Sequence, residues 1–279
     1  MKAMILAAGL GTRLRPLTDH RPKALVEIVG RTLLEITLSR LRSFGVREVI
    51  VNVHHFADMI VDYLKAKKNF GMRVEVSREN VLLDTGGGLK KAAWFFLEGS
   101  SRSASNSGDS SRVDEPFLLH NVDVISNINL RRMVQFHTEN HALATLAVQN
   151  RETSRYLLFD GHLQLCGRRS GPQESEIVGS HLKNGLRQGT ASAVPESVEQ
   201  SGVLTPEVPL QALAFSGIHV ISPRLLPMIT EEGSFSIITT YLRLAAQGEK
   251  ILAFRADDYY WCDLGRPADL TQAAQDLQL

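Results

Sequence analysis

Cysteine is nearly absent from this chain. Cys166 and Cys262 are the only two in 279 residues, far apart and in no Cys-x-x-Cys pair. That excludes a scaffold built on disulfides and argues against a zinc site. Both thiols read as small apolar fillers in a reducing, cytoplasmic compartment. A surplus of one charge is also missing. Lys and Arg number 31 and Asp and Glu 30, a formal net charge of +1. No overall basic field draws the chain to nucleic acid or an anionic membrane, so neither is expected as a partner. No run of about 18 apolar residues occurs, so no transmembrane helix is expected. The apolar start, residues 1–10, soon meets Arg13, Arg15 and Lys23 and lacks a signal peptide's cleavage pattern. No internal repeat is visible.

What remains is an ordinary globular composition, 43% hydrophobic and 22% charged, enough for a sizeable core. Residues 2–8 read as a short apolar strand broken by glycines. Residues 32–44 carry Leu33, Leu34, Ile36, Leu38, Leu41 and Phe44 at helical spacing, with Gly45 closing the helix. Residues 48–53 read as a strand, 56–68 as an amphipathic helix, 72–77 as a strand and 86–97 as a glycine-started helix. Residues 116–120 and 142–148 are further strands on either side of a helix at 130–140. Alternation of this kind predicts an α/β fold with parallel strands and helices on the faces. After Arg151 a hairpin is expected around Asp160-Gly161, then strands at 213–221, 251–255 and 259–263 and helices at 235–247 and 267–277.

Two stretches break the pattern. Residues 99–115 are Ser- and Gly-rich and cannot bury enough apolar surface to offset their ordering entropy, so a disordered loop is expected there. Residues 168–209 have weak periodicity and read as a long mobile loop over the site.

The most informative segment is Leu6-Ala-Ala-Gly9-Leu-Gly11-Thr12-Arg13-Leu-Arg15-Pro16-Leu-Thr18, followed by Pro22-Lys23-Ala-Leu25. Glycines after a strand let the backbone turn and approach a ligand closely, and their N–H groups can cradle an anion. Arg13 and Lys23 add two cations. The commoner phosphate motifs do not fit: position 14 is Leu where a Rossmann fingerprint needs Gly, and the Gly-Lys-Ser/Thr of a P-loop is missing. Asp123 and Asp263 each follow an apolar run, which puts them near strand ends, where open α/β sheets bind ligands. Mg²⁺ commonly takes one or two such carboxylates together with substrate phosphates. Spacing alone does not bring together two residues 140 positions apart.

The glycine segment, Leu83-Asp-Thr85-Gly86-Gly87-Gly88, Asn121-Val-Asp123, Phe215-Ser-Gly217-Ile218 and Trp261-Cys-Asp263-Leu-Gly265 together resemble the sugar-phosphate nucleotidyltransferases, in that family's order and over nearly the whole chain. The resemblance implies a Rossmann-like (GT-A-type) α/β fold. It would be one domain with a mixed, mostly parallel sheet flanked by helices and a small sugar-binding β subregion. Residues 1–150 would bind the nucleotide and 151–279 the sugar phosphate. The implied reaction joins a nucleoside triphosphate to a sugar 1-phosphate with Mg²⁺ as cofactor.

In that reading Ala8, Gly9, Gly11, Thr12, Arg13 and Lys23 hold the triphosphate. Arg13, Lys23 and Asp123 are catalytic, and Asp123 and Asp263 bind the metal. Thr85, Gly86, Gly87 and Asn121 approach the nucleotide, the first three at its base. Arg155 and Gly217 are sugar-binding candidates, with Tyr156 and either Arg168 or Arg169 behind them. The overall pattern favours uridine, then guanosine. Valine at 122 departs from the Gly common in the family, and would be strained only if its φ were positive. His54-His55 reads as structural, since neighbours in a strand face opposite ways. Two alternatives stay open. A non-catalytic sensing homologue would have little need of all four charged residues. A glycosyltransferase using nucleotide sugar would be expected to carry Asp-x-Asp, which Asn121-Val122-Asp123 is not.

Overall fold

The computed structural model describes residues 1–97, 115–171, 174–178 and 209–276. Strand and helix alternate through the first half. β1 (Lys2–Leu6) leads to a small ribbon, β2 (Glu27–Ile28) with β3 (Arg31–Thr32), too short to leave a mark in the apolar pattern. Then come α1 (Leu33–Phe44), β4 (Glu48–Val53), α2 (Ala57–Ala66), β5 (Arg73–Arg78) and α3 (Asp84–Leu97). β6 (Phe117–Asn121), β7 (Val124–Ser126), α4 (Leu130–Glu139) and β8 (Ala144–Gln149) complete it. The helix boundaries follow local chemistry. Thr32 caps α1 by accepting from the Glu35 N–H, and Gly45 ends it at φ 110°.

The second half contains β9 (Arg155–Phe159), β10 (Leu165–Ser170), β11 (Glu174–Ile177), β12 (Gln211–Ile221), α5 (Ile237–Ala246), β13 (Ile251–Arg255), β14 (Trp261–Asp263) and α6 (Pro267–Asp276). Ten strands make one mixed sheet in the order β11-β10-β9-β12-β6-β1-β4-β5, with β8 joined to β12 and β13 to β8. β6, β1, β4 and β5 run parallel. Every antiparallel pairing in that sheet involves a strand from after residue 150. The sheet thus runs through both halves of the chain, joined where β12 lies against β6 and where β8 pairs with β12 and β13.

Pleating sends alternate side chains to two cores. Ala3 and Ile5 of β1 enter one, with Leu34 and Leu38 of α1, Ile60 of α2 and Met133 of α4. Met4 enters the other, with Leu89 and Phe95 of α3 and Tyr241 of α5. Helices therefore cover both faces, as the alternating pattern anticipates. Among the described residues no helix is long and apolar enough to cross a membrane.

One expectation is corrected. The hairpin around Asp160-Gly161 forms, but β10 continues through Ser170 and β11 returns beside it, where a loop from residue 168 was expected. These strands lack apolar periodicity. Leu165 enters the core and backbone pairing carries the rest, with the half-exposed Arg168–Glu176 ion pair at 2.7 Å between the strands. Of 168–209, residues 172–173 and 179–208 lie outside the described residues. So does 99–115, except Glu115, whose carboxylate meets the N-terminal amine at 2.8 Å.

Candidate active site

β1 delivers the glycine loop at the end of the parallel strands. The Ala7 N–H donates to Asn52 Oδ1 at 2.7 Å, and Ala8 is buried beside it. Gly11 turns the chain at φ 66°. A Cβ there would lie 3.0 Å from Thr18 Cγ2 and 3.1 Å from Lys23 Cβ. Thr18 Oγ1 closes the turn by donating to the Gly11 carbonyl at 2.8 Å, and Leu14 anchors it in the core. Gly9 is different, since a Cβ there would meet nothing within 4 Å. Thr12 and Arg13 are exposed along this loop. The Arg13 guanidinium rests on Gly265, where a Cβ would come within 3.0 Å of its Cζ.

Pro22 ends the loop, and the following turn buries Lys23. Its ammonium pairs with Asp123. Asp123 occupies the tight connection between β6 and β7. β14 lies antiparallel on β7, with Asp263 opposite Val124. The Leu264 N–H donates to the Asp123 carbonyl at 2.9 Å. Strand pairing thereby joins two aspartates that are 140 residues apart in the sequence. Burial pushes the Asp263 carboxyl above its ordinary pKa, the Asp123 charge pushes it the same way, and Lys23 and Arg13 pull it back. Arg13, Lys23, Asp123 and Asp263 therefore form one electrostatic cluster. Val122 is not among the residues with positive φ; its side chain is buried in the core, so it carries no backbone strain.

Gly217 completes the wall. It adopts φ 73°, and a Cβ would lie 2.8 Å from Val124 Cγ2 and 3.0 Å from Asn121 Nδ2. It sits where the β12–β8 register shifts, between Phe215 and His219, a bulge of the kind that often borders active sites.

Thr85, Gly86 and Gly87 are held by packing. The Thr85 N–H donates to Asp84 Oδ1 at 2.6 Å, and Thr85 Oγ1 accepts from the Ile237 N–H at 3.0 Å. The N–H groups of Gly86 and Gly87 both donate to the Phe235 carbonyl, at 2.9 and 3.3 Å. A Cβ on Gly86 would lie 2.3 Å from the Phe235 ring, and one on Gly87 2.5 Å from the Gly233 carbonyl. These glycines let α3 dock against the segment before α5. None of the three N–H groups is left for a base edge, the role the sequence reading gave this segment.

Arg155 stands exposed at the start of β9, and none of the described residues bonds its guanidinium. It is not drawn into the aspartate cluster. Arg168 is paired with Glu176, and Arg169 lies 4.9 Å from the Tyr156 ring. His54 Nδ1 meets the Glu79 carbonyl at 2.8 Å, a structural contact as expected.

Two features escaped the sequence reading. One is a buried polar relay. Asn52 Nδ2 donates to Glu79 Oε1 at 2.8 Å, and Glu79 Oε2 accepts from the Leu83 N–H at 3.0 Å. It ties the glycine loop to the start of α3, and its signal was a polar residue, Asn52, in the run Val-Ile-Val-Asn-Val. The other is Arg151. Its guanidinium stacks 3.7 Å from the Trp261 ring centroid and donates from Nη2 to the Phe215 carbonyl at 2.8 Å. No motif marked it.

Residues 2–158 match the family model described as nucleotidyl transferase. The chain belongs to the nucleotidyl transferase family. It is 31% identical to an N-acetylmuramate alpha-1-phosphate uridylyltransferase of Caulobacter vibrioides, over 95% of this chain and 92% of that one. It is 28% identical to a mannose-1-phosphate guanyltransferase beta-B of Xenopus laevis, over 96% of this chain but only 62% of that one. Among solved structures, HddC from Yersinia pseudotuberculosis, complexed with GMP-PN, superposes with a TM-score of 0.68 at 19% identity, covering 99% of each chain. A UDP-glucose pyrophosphorylase complexed with UDP-glucose gives 0.69 at 15% identity, covering 99% of this chain and 98% of that one. At those identities the likeness establishes the Rossmann-like, GT-A-type fold.

Proposed function

We propose that this nucleotidyl transferase joins a nucleoside triphosphate to a sugar 1-phosphate, forming a nucleotide sugar and pyrophosphate. The carrying observation is the meeting of two cations, Arg13 and Lys23, with two strand-end carboxylates, Asp123 and Asp263, beside a glycine loop. The uridylyl- and guanylyltransferases that the chain resembles over 95% and 96% of its length support the same reading. UTP is the first choice of triphosphate and GTP the second.

In this reading a phosphate oxygen of the sugar phosphate attacks the α-phosphorus. The new P–O bond forms as the α–β bond breaks, and pyrophosphate leaves with the electron pair. Negative charge builds on the α-phosphoryl oxygens and on the leaving group. Arg13, on the exposed loop, neutralises the departing end. Lys23, buried beside Asp123, meets the α-phosphoryl oxygens. Lys23 is held beside Asp123 before the reaction, and pre-placed charge of this kind is the condition under which electrostatic stabilisation is strongest. The nucleophile is already an anion, so no general base is required.

Asp123 and Asp263 offer two hard oxygen donors. Among the described residues no third acidic, histidine or cysteine side chain joins them to make a metal cage. That donor set fits Mg²⁺, which commonly completes its shell with phosphates and water. Bound there, Mg²⁺ would supply positive charge between the two phosphates. The raised pKa of Asp263 comes first from burial and second from the neighbouring Asp123 charge, against the pull of Lys23 and Arg13.

The test is pyrophosphate release with Mg²⁺ from UTP, GTP, dTTP, CTP and ATP, each against a panel of sugar 1-phosphates, with Asp123→Ala as control. Turnover with one pair, abolished in the control, is expected. No release from any pair by folded protein would overturn the reaction. Undiminished release by Asp123→Ala would overturn the metal assignment.

A further inference from the structure

Three anionic groups besides the nucleotide meet at this site: the sugar phosphate, Asp123 and Asp263. Arg13 and Lys23 are committed to the triphosphate in the proposed reaction and Mg²⁺ would be held by the two aspartates, so no cationic side chain has yet been placed on the sugar phosphate. Arg151 stands in the right place. Trp261 and Asp263 are two apart on β14, so their side chains leave the same face of the strand. Arg151 lies flat on Trp261 on that face. Burial holds its pKa down, and Asp263 is close enough to work against that.

Its bonding is incomplete in an informative way. A guanidinium has five N–H donors. Here Nη2 donates to the Phe215 carbonyl, while Nε is buried with no partner. Among the described residues no carboxylate comes within ion-pair distance of it. Arg40 shows what a half-buried structural arginine looks like in this fold. It donates to Ser126 Oγ and to the Ile128 carbonyl, both at 2.7 Å, and meets His120 Nε2 at 3.3 Å. Arg151 has one carbonyl and an aromatic face. Arg151 is half-buried, and taking part of a cation out of water with so little compensation is unfavourable unless an anion arrives.

Trp261 is itself tied to the sheet. The Trp261 indole N–H donates to the Ser216 carbonyl at 2.8 Å, next to the carbonyl that Arg151 takes. Both side chains therefore clamp the β12 bulge at 215–217, and stacking fixes the guanidinium plane. A cavity of about 390 Å³ opens beside them, lined in part by Asn150, Tyr259 and Tyr260. Such a planar fork is suited to phosphate.

We propose that Arg151 is the residue that receives the phosphate of the sugar 1-phosphate, beside Asp263. The assignment rests on the reaction proposed above. It makes the Arg151–Trp261 stack the anchor for the nucleophile, separate from the loop that holds the triphosphate.

The experiment compares native protein, Arg151→Met and Arg151→Lys in steady-state pyrophosphate release, using the pair that the native protein turns over. Losing a charge-assisted bond to phosphate is expected to raise KM for the sugar 1-phosphate about 10- to 100-fold in Arg151→Met. KM for the triphosphate should stay within about twofold. Arg151→Lys, which keeps the charge without the fork, should fall between. In thermal unfolding, protection by sugar 1-phosphate should vanish in Arg151→Met while protection by triphosphate with Mg²⁺ persists. Parallel rises in both KM values, or an unchanged sugar-phosphate KM, would overturn the assignment and leave the reaction standing. Absence of release from native protein would overturn the reaction and this assignment with it. If Arg151→Met does not fold, the Arg151→Lys comparison decides the same question.

Discussion

Replacing Gly217 by alanine should damage the fold and the site together. The residue holds φ 73°, and an added methyl would lie 2.8 Å from Val124 Cγ2 and 3.0 Å from Asn121 Nδ2. The left-handed backbone alone costs an L-residue about 1–2 kcal/mol. Forcing the packed neighbours apart adds about 1–3 kcal/mol. The sum, about 2–5 kcal/mol, corresponds to a Tm lowered by about 4–20 °C in a protein of this size. Asn121 and Val124 flank Asp123, and Val124 pairs with Asp263, so relief of the clash moves these two carboxylates. Pyrophosphate release should fall by more than about tenfold, the usual consequence of an ångström-scale misplacement. Urea unfolding of Gly217→Ala, Val124→Ala and the double variant isolates the clash. Removing Cγ2 should recover part of the packing cost of about 1–3 kcal/mol and leave the Asn121 contact and the backbone part behind. A Gly217→Ala protein within about 0.5 kcal/mol of native, or a cycle with no coupling, would refute the reasoning.

Other expectations follow from single contacts. Gly86→Ala puts a methyl 2.3 Å from the Phe235 ring, so it should lower Tm while the ratio of rates with UTP and GTP stays unchanged; an altered ratio in a stable protein would return the base-reading role to this segment. Asp263→Asn removes a charge that burial and Asp123 both disfavour. Without Mg²⁺ it should therefore be at least as resistant to urea as native protein, while pyrophosphate release collapses. Burial holds His120 and His219 down to about 3 and His137 to about 4. Their folded pKa values lie below the unfolded value near 6.5, so the stability they contribute is complete above that pH and is lost as pH falls. Each costs about 1.4 kcal/mol per pH unit in that window. The urea midpoint should drop steeply below pH 6 and less steeply in His137→Asn; a flat profile down to pH 4.5 would contradict the burial.

The helices and strands that could be read from the sequence were those with a repeating burial demand. α1 repeats apolar residues at helical spacing between a Thr cap and a terminal Gly, and β4 is an unbroken β-branched run. β7, β2 and β3 could not be read, because two or three residues carry no period. β10 and β11 were hidden for another reason. Arg168, Arg169 and Glu176 look like solvent-facing loop residues, and only cross-strand pairing reveals a hairpin. Thr85–Gly88 shows the limit of motif reading: glycines at a helix start signal a close approach, but the sequence does not say to what. Here the approaching groups are Phe235, the Gly233 carbonyl, and the side chains of Asn52 and Glu79.

By itself the sequence determined the α/β architecture, the anion-suited glycine loop with Arg13 and Lys23, and the candidacy of Asp123 and Asp263 for metal binding. Those properties are local. They depend on residue type, on periodicity and on which strand a residue follows. Tertiary structure alone decided that the two aspartates meet, because β14 lies antiparallel on β7. It alone set Arg151 on Trp261 while leaving Arg155 exposed at a strand end. A cation becomes a binding group or a solvated one according to what surrounds it. Those surroundings are assembled from β12, β14 and the residues after β8, segments distant in the chain that share no sequence period.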